Sequence, residues 1–238
     1  MYLGFHLILL IYKSIQMPKD DWPMPAFGPE DVDLISRERT YSGYFAVDRY
    51  RVRHRRHDGG WTQPIQREVF ISGDAVVVLP YDPVRDCVVL IEQFRAGPYA
   101  NEGEANPQGA WLVETIAGRF EPGDLPEDVA RREAIEEAGC HLGQFFPMGA
   151  YYQSPGCIAE KIHYFCAITD IEGVGGVHGL DHEDEDIRVI VMKRETALRG
   201  IAGGRIRNVT LAFALQWLEL NRSRILRESG NPSAPPLD

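Results

Sequence analysis

Glu133, Glu136 and Glu137 stand at i, i+3 and i+4 in the run from Pro126 to Gly139. On a helix these three carboxylates share one face. Like charges at that spacing destabilise an isolated helix by roughly 0.2–0.5 kcal/mol per pair. A hard divalent cation would reverse that cost, because Mg²⁺ prefers carboxylate oxygens and leaves part of its shell to water and phosphate. Glu133 and Glu137 can reach one ion, and Glu136 can complete or orient the cluster. The plain alternative is a solvated acidic helix face. Against it stand a glycine loop before the helix, Arg132 within it and Gly139 at its end. A second acidic run, Gly179-Leu-Asp-His-Glu-Asp-Glu-Asp186, follows the glycine-rich stretch 173–179. Such a run is ordinarily a solvated loop. An acidic loop that closes over a metal-bound phosphate supplies a general base instead. His182 is one base candidate from its ordinary pKa.

The segment 118–140 resembles the Nudix box, Gly-x5-Glu-x7-Arg-Glu-U-x-Glu-Glu-x-Gly-U, with U a bulky apolar residue. Gly118, Arg132, Glu133, Glu136, Glu137 and Gly139 fall in register. Asp124 stands where the family has Glu, Ala134 is small for a U position, and Cys140 fills the last U. The shorter Asp124 weakens the usual support of Arg132 and leaves the proposed metal ligands intact.

The likeness extends over about residues 30–225, through 41–45, 67–70, 79–86, 89–95 and 214–218. Over this span the chain is similar to the bacterial ADP-ribose pyrophosphatase subfamily of the Nudix hydrolases. That resemblance implies an α/β/α sandwich around a mixed sheet, Mg²⁺ as cofactor with Mn²⁺ as a substitute, and hydrolysis of ADP-ribose to AMP and ribose 5-phosphate. It adds the Ala117 carbonyl and Glu185 to Glu133 and Glu137 as metal ligands. It makes Glu183 the general base, with Glu136 and Arg132 in the catalytic set. The similar enzymes carry such an acidic loop ahead of an Asp-Ile-Arg-Val strand, matched by Asp186-Ile-Arg-Val189.

Substrate class is read outside the box. Pro155, in Ser154-Pro155-Gly156, lies 15 residues after Cys140, a family signal for ADP-ribose. A bare turn is the simpler reading of Ser-Pro-Gly, and Tyr151 and Tyr152 keep a dinucleoside polyphosphate in view. By resemblance Glu160 contacts the ribose side and Arg95 binds the pyrophosphate as a bidentate donor. Arg67 and Glu68, with Tyr44 or Phe45, hold the adenosine end, an aromatic ring stacking on the base. In that subfamily the N-terminal strands pair two subunits. Two rivals remain: a hydrolase of another nucleoside diphosphate-linked compound such as a sugar nucleotide, and a non-catalytic ADP-ribose sensor. A sensor needs an output module, and no basic recognition helix is evident.

The elements that must position these residues are those of an α+β chain. Strand-like alternation runs over 40–56, a hairpin signal over Arg56–Gly60, and a return strand from Trp61 to Ile71. Buried strands are expected at 75–79 and 87–91, a further one at 111–116, and others at 145–153, 161–168 and 187–192. The stretch 96–110 reads as a long loop. Pro126 opens the box helix and Gly139 closes it. Helices follow near 194–200 and 209–226. The expected organisation is an extension over 1–16 with translation starting near Met17, a β-rich dimerisation piece over 17–72, a catalytic domain over 73–227 and a disordered tail over 228–238.

Of 238 residues, 44% are hydrophobic, enough for a core, and the formal charge of -10 argues against nucleic acid as partner. The apolar run 1–12 is too short to span a bilayer. Four cysteines without a C-x-x-C pair read as reduced packing residues in the cytoplasm, and no membrane partner is expected.

Overall fold

The computed structural model describes residues 24–121, 123–180, 182 and 184–230. The expected extension over 1–16, residues 231–238 of the expected tail, and Glu183 lie outside them. Contacts divide the described residues into two units, 24–38 with 49–67 and 39–48 with 68–230.

Three strands form one sheet in the order β1 (Val32–Ser42), β2 (Ala46–His54) and β3 (Ile65–Ile71). The single strand expected over 40–56 is therefore corrected to two. The chain reverses over 43–45, where the Gly43 N–H donates to the Phe45 carbonyl at 2.9 Å. A Cβ at Gly43 would meet the Tyr41 ring. The expected hairpin forms at Arg56–Gly60, with Gly59 and Gly60 at φ 94° and 73°. The return strand starts later than Trp61, which makes only an isolated bridge to Arg55. Pro64 has no N–H to give a ladder, so regular pairing waits until Ile65.

The second sheet is mixed and has eight strands. Its main path is β10 (Gly176–His178), β11 (Ile187–Lys193), β5 (Cys87–Phe94), β4 (Ala75–Asp82), β9 (Lys161–Ile168) and β8 (Phe145–Tyr152). β4 and β9 run parallel, and the other neighbours on this path pair antiparallel. β4 and β5 pair only at Tyr81–Val88 and Asp82–Cys87. Beyond that they part, and the run expected as one strand over 111–116 fills the fork as two. β6 (Trp111–Glu114) pairs with β5, and β7 (Ile116–Arg119) pairs with β4. The break falls at Thr115, where the segment changes partners.

Alternation decides which helix each strand residue meets. Val76, Val78, Val89, Ile91 and Ile116 pack on Val129, Ala130, Ala134 and Ala138 of helix α2 (Pro126–Ala138). Val77, Leu79, Tyr81, Val88 and Leu90 face the other way. They meet Ala197 of α3 (Arg194–Ala202) and Leu211, Leu215 and Leu218 of α4 (Val209–Glu228). The result is the expected α/β/α sandwich. Each face excludes water from a run of aliphatic side chains, at about 25 cal/mol per Å² of apolar surface. The supposed loop after Arg95 instead holds helix α1 (Ala96–Glu102) and two 3-10 turns. α4 runs to Glu228, two residues beyond the expected end.

Candidate active site

α2 begins as its sequence dictates. Pro126 takes the first helical position, and Glu127 and Asp128 lie in the first turn near the positive dipole end. Gly139 ends it at φ 59°, with its N–H bonded to Ile135 O and that of Cys140 to Ala134 O. The helix lies across the fork, so its acidic face meets β7.

Glu137 is the deepest carboxylate, 3% exposed. Its Oε2 accepts the Ala117 N–H at 3.1 Å. Burial pushes its carboxyl well above the usual range, and the charges of Glu133 and Glu185 push the same way, while Ala117 N–H and Arg95 oppose them. Glu133 is raised too, by burial first and then by Glu136 and Glu185 against the pull of Arg132. Arg132 donates to Glu133 Oε1 at 2.9 Å and lies 3.8 Å from Glu136 Oε2. The Glu133 side chain lies against Gly118, and a Cβ there would run into it. Gly118, which lies in β7 and not in a loop as expected, thus makes room for the Glu133 side chain, with no positive φ involved.

Asp124 does not leave its loop slack. Its Oδ2 accepts the Glu121 N–H at 2.7 Å, and its charge reaches Arg132.

The acidic loop is tied to the same helix. The Gly179 N–H donates to Glu136 O at 3.3 Å, and Glu185 Oε2 accepts the Leu180 N–H at 3.4 Å. His182 is exposed. Glu183, the expected base, lies outside the described residues.

Arg95 follows β5 on the side of the fork that faces α2. Its Nε donates to Glu114 Oε2 at 2.7 Å. Glu114 is 6% exposed, and its other oxygen accepts Asn208 Nδ2 at 2.6 Å. Asn208 in turn caps α4, its Oδ1 accepting the Leu211 N–H at 3.0 Å. Sequence reading missed Glu114 and Asn208. The available signal was a lone acid in the apolar run Trp111-Leu-Val-Glu114.

A second group forms beside the first. Tyr44 and Phe45 stack edge to face at 4.8 Å, and Phe45 lies 4.8 Å from Phe70. Glu160 Oε1 accepts Ser72 Oγ at 3.2 Å. Ser154 accepts the N–H groups of Cys157 and Ile158 through its carbonyl, at 3.2 and 3.0 Å, and Pro155 and Gly156 are exposed on that turn. Glu68 is exposed. Arg67, in the other unit, is exposed and donates to the Gln66 carbonyl at 2.8 Å.

Burial and neighbouring carboxylates raise both Glu133 and Glu137, so the site is short of positive charge. That donor set fits a divalent cation, which favours oxygen ligands. Among the described residues, no group of three or more His, Cys, Asp or Glu side chains is gathered closely enough to hold a metal ion.

Known proteins resemble this chain over most of its length. The family model described as NUDIX domain matches residues 72–211. The ADP-ribose pyrophosphatase of Escherichia coli strain K12 is 43% identical over 209 residues, covering 88% of this chain and 97% of that protein. The ADP-ribose pyrophosphatase of Haemophilus influenzae is 40% identical over 200 residues, covering 84% and 91%. A solved structure titled as an ADP compounds hydrolase superposes with a TM-score of 0.61 at 16% identity, covering 84% of this chain and 96% of that one. This last likeness speaks for the fold.

Proposed function

Because this chain belongs to the NUDIX family, we propose that it hydrolyses the pyrophosphate bond of ADP-ribose, giving AMP and ribose 5-phosphate. The names of its relatives support the substrate. The observation that carries the chemistry is the buried Glu137 with Glu133 and Glu185 around it and Arg95 beside it.

Glu133, Glu137, Glu185 and the Ala117 carbonyl would hold Mg²⁺, with Mn²⁺ as a substitute. When bound, the ion offsets charge that builds on the phosphate oxygens in the transition state. Arg95 holds the diphosphate, its guanidinium aimed by Glu114. Glu183 accepts the proton of the attacking water. Glu136 and Arg132 brace Glu133. Tyr44, Arg67 and Glu68 take the adenosine end, and Ser154, Pro155, Gly156 and Glu160 take the ribose end.

The β-rich piece over 17–72 is the dimerisation element of this reading. β1 supports it by exposing Val32 and Leu34, at 53% and 56%, on one face, an apolar pair suited to a second copy. Light scattering should return twice the chain mass. The free cysteines, three of them buried, fit a reducing cytoplasm. Among the described residues no helix is long and apolar enough to cross a membrane.

The deciding experiment incubates the protein with ADP-ribose and with a sugar nucleotide, each with and without Mg²⁺. Phosphatase-coupled release should appear with ADP-ribose and Mg²⁺. Faster turnover of the sugar nucleotide would reassign the substrate, and tight binding without turnover would make the protein a sensor.

A further inference from the structure

Arg119 has no part in the carboxylate cluster, yet it touches Tyr44, Phe45 and Ser72 of the neighbouring group. It is the last residue of β7 and follows Gly118 directly. Its guanidinium carbon lies 5.5 Å from the Tyr44 ring centroid and 5.0 Å from that of Phe45. The same guanidinium donates to the Ser72 carbonyl, and the Ser72 hydroxyl donates to Glu160 at 3.2 Å. Phe45 rests on Phe70, whose N–H donates to Cys157 O at 2.8 Å and whose carbonyl accepts the Ala159 N–H at 3.0 Å.

Tyr44 is 84% exposed. An aromatic side chain so open to water ordinarily samples several rotamers, and a ligand that stacks on it must freeze them. Here a planar cation under the ring and the edge of Phe45 beside it fix the ring before any ligand arrives. The simpler reading is a surface arginine that happens to be satisfied locally. Simultaneous contact with two rings and a carbonyl, from a residue adjoining the box loop, goes beyond that.

We propose that Arg119 is a positioning residue: it locks Tyr44 and Phe45 to the end of β7 and so sets affinity for the flat base of the nucleotide. This deepens the functional reading above and rests on it. Arg119 acts through Tyr44, so its loss should weaken binding and leave the bond-breaking step nearly intact.

The test compares Arg119→Met, Arg119→Lys, Tyr44→Leu and the double variant Arg119→Met/Tyr44→Leu in the full-length protein. A cation–π contact of ordinary strength predicts that Arg119→Met raises KM for ADP-ribose about fivefold, with kcat within about twofold. The Kd for AMP, measured by calorimetry, should rise by the same factor. Arg119→Lys keeps the charge and loses the flat surface, so it should fall between. In the Tyr44→Leu background, Arg119→Met should add nothing. An unchanged KM and Kd, a loss confined to kcat, or an equal added factor in the double variant each overturns the proposal. If Arg119→Met does not fold, Arg119→Lys decides alone, and an unaltered AMP affinity in it is the overturning result. Wild-type turnover of ADP-ribose, measured alongside, separates failure of this inference from failure of the functional reading.

Discussion

The buried carboxylate of Glu114 bridges Arg95 and Asn208, accepting from the first at 2.7 Å and from the second at 2.6 Å. Each oxygen has one donor, and neither donor can be dropped without leaving a buried charge short of a partner. Because Asn208 also caps α4, the Arg95 guanidinium is fixed to the helix on the far face of the sheet. Glu114→Gln can satisfy Arg95 or Asn208, but not both, since the Asn208 oxygen is already committed to Leu211. We expect KM to rise about tenfold and the melting temperature to fall by about 2–4 °C per kcal/mol lost. Steady-state kinetics and calorimetry on one preparation check both.

Arg95→Lys keeps the charge and gives up the planar fork. Loss of a charged bidentate contact should reduce kcat/KM by about 10- to 100-fold. A variant within twofold of wild type would show that the diphosphate is held elsewhere.

Glu137→Gln should separate stability from function. Burial raises the Glu137 carboxyl well above its unfolded value, so at neutral pH keeping this acid buried costs stability in either protonation state. With a chelator present, the amide should therefore melt at a higher temperature than wild type. Addition of Mg²⁺ should stabilise wild type and leave Glu137→Gln unmoved, with turnover down by orders of magnitude. Thermal shift with and without Mg²⁺ reads the first two, and a variant that still responds to Mg²⁺ removes Glu137 from the ligand set.

Gly118→Ala tests the close approach of β7 to Glu133. The added methyl must displace the Glu133 carboxylate. Mg²⁺ required for half-maximal activity should rise about tenfold or more, as when a ligand loses its orienting contact. An unaltered Mg²⁺ titration would place Glu133 outside the metal shell.

Asp86 predicts an acid-sensitive fold away from the site. Burial works to raise its pKa, but Arg194, Tyr81 and Arg222 outweigh it and hold the carboxyl at about 2. Tyr81 donates to it at 2.7 Å and Arg194 at 2.9 Å. A depressed folded pKa gives stability that is full above the unfolded value of about 3.9 and disappears as pH falls to about 2. Asp86→Asn suits the φ of 51° and should flatten the decline in urea midpoint between about pH 4 and 2 relative to wild type. The partner ring gives the opposite slope: Tyr81 is pushed up to about 12, by burial first and then by Asp86. Wild-type stability should therefore fall between about pH 10 and 12.

The box was legible because its information is local. Helical spacing alone puts Glu133 and Glu137 on one face, and Pro126 and Gly139 mark the ends. The unbroken apolar run from Val76 to Leu79 likewise announced a strand buried on both faces. What sequence could not show depends on partners distant along the chain. The break at Thr115 arises because β6 and β7 answer to different strands. Glu114 gains its meaning from Asn208, 94 residues away. The turn over 43–45 lies inside an unbroken alternating pattern, and only Gly43 hinted at it. Arg119 reads as an ordinary surface cation until Tyr44 and Phe45 are folded against it.

The fork between β4 and β5 sets where length can change. Glu114 and Ala117 lie on either side of the partner switch, and one residue inserted between them would turn every later side chain of β7 to the opposite face. Gly118 would then leave the carboxylates and Ala117 would take its place beneath them. The stretch from Ala96 to Ala110 carries no such register, so insertions and deletions in relatives should gather there and spare the few residues from Glu114 to Gly118.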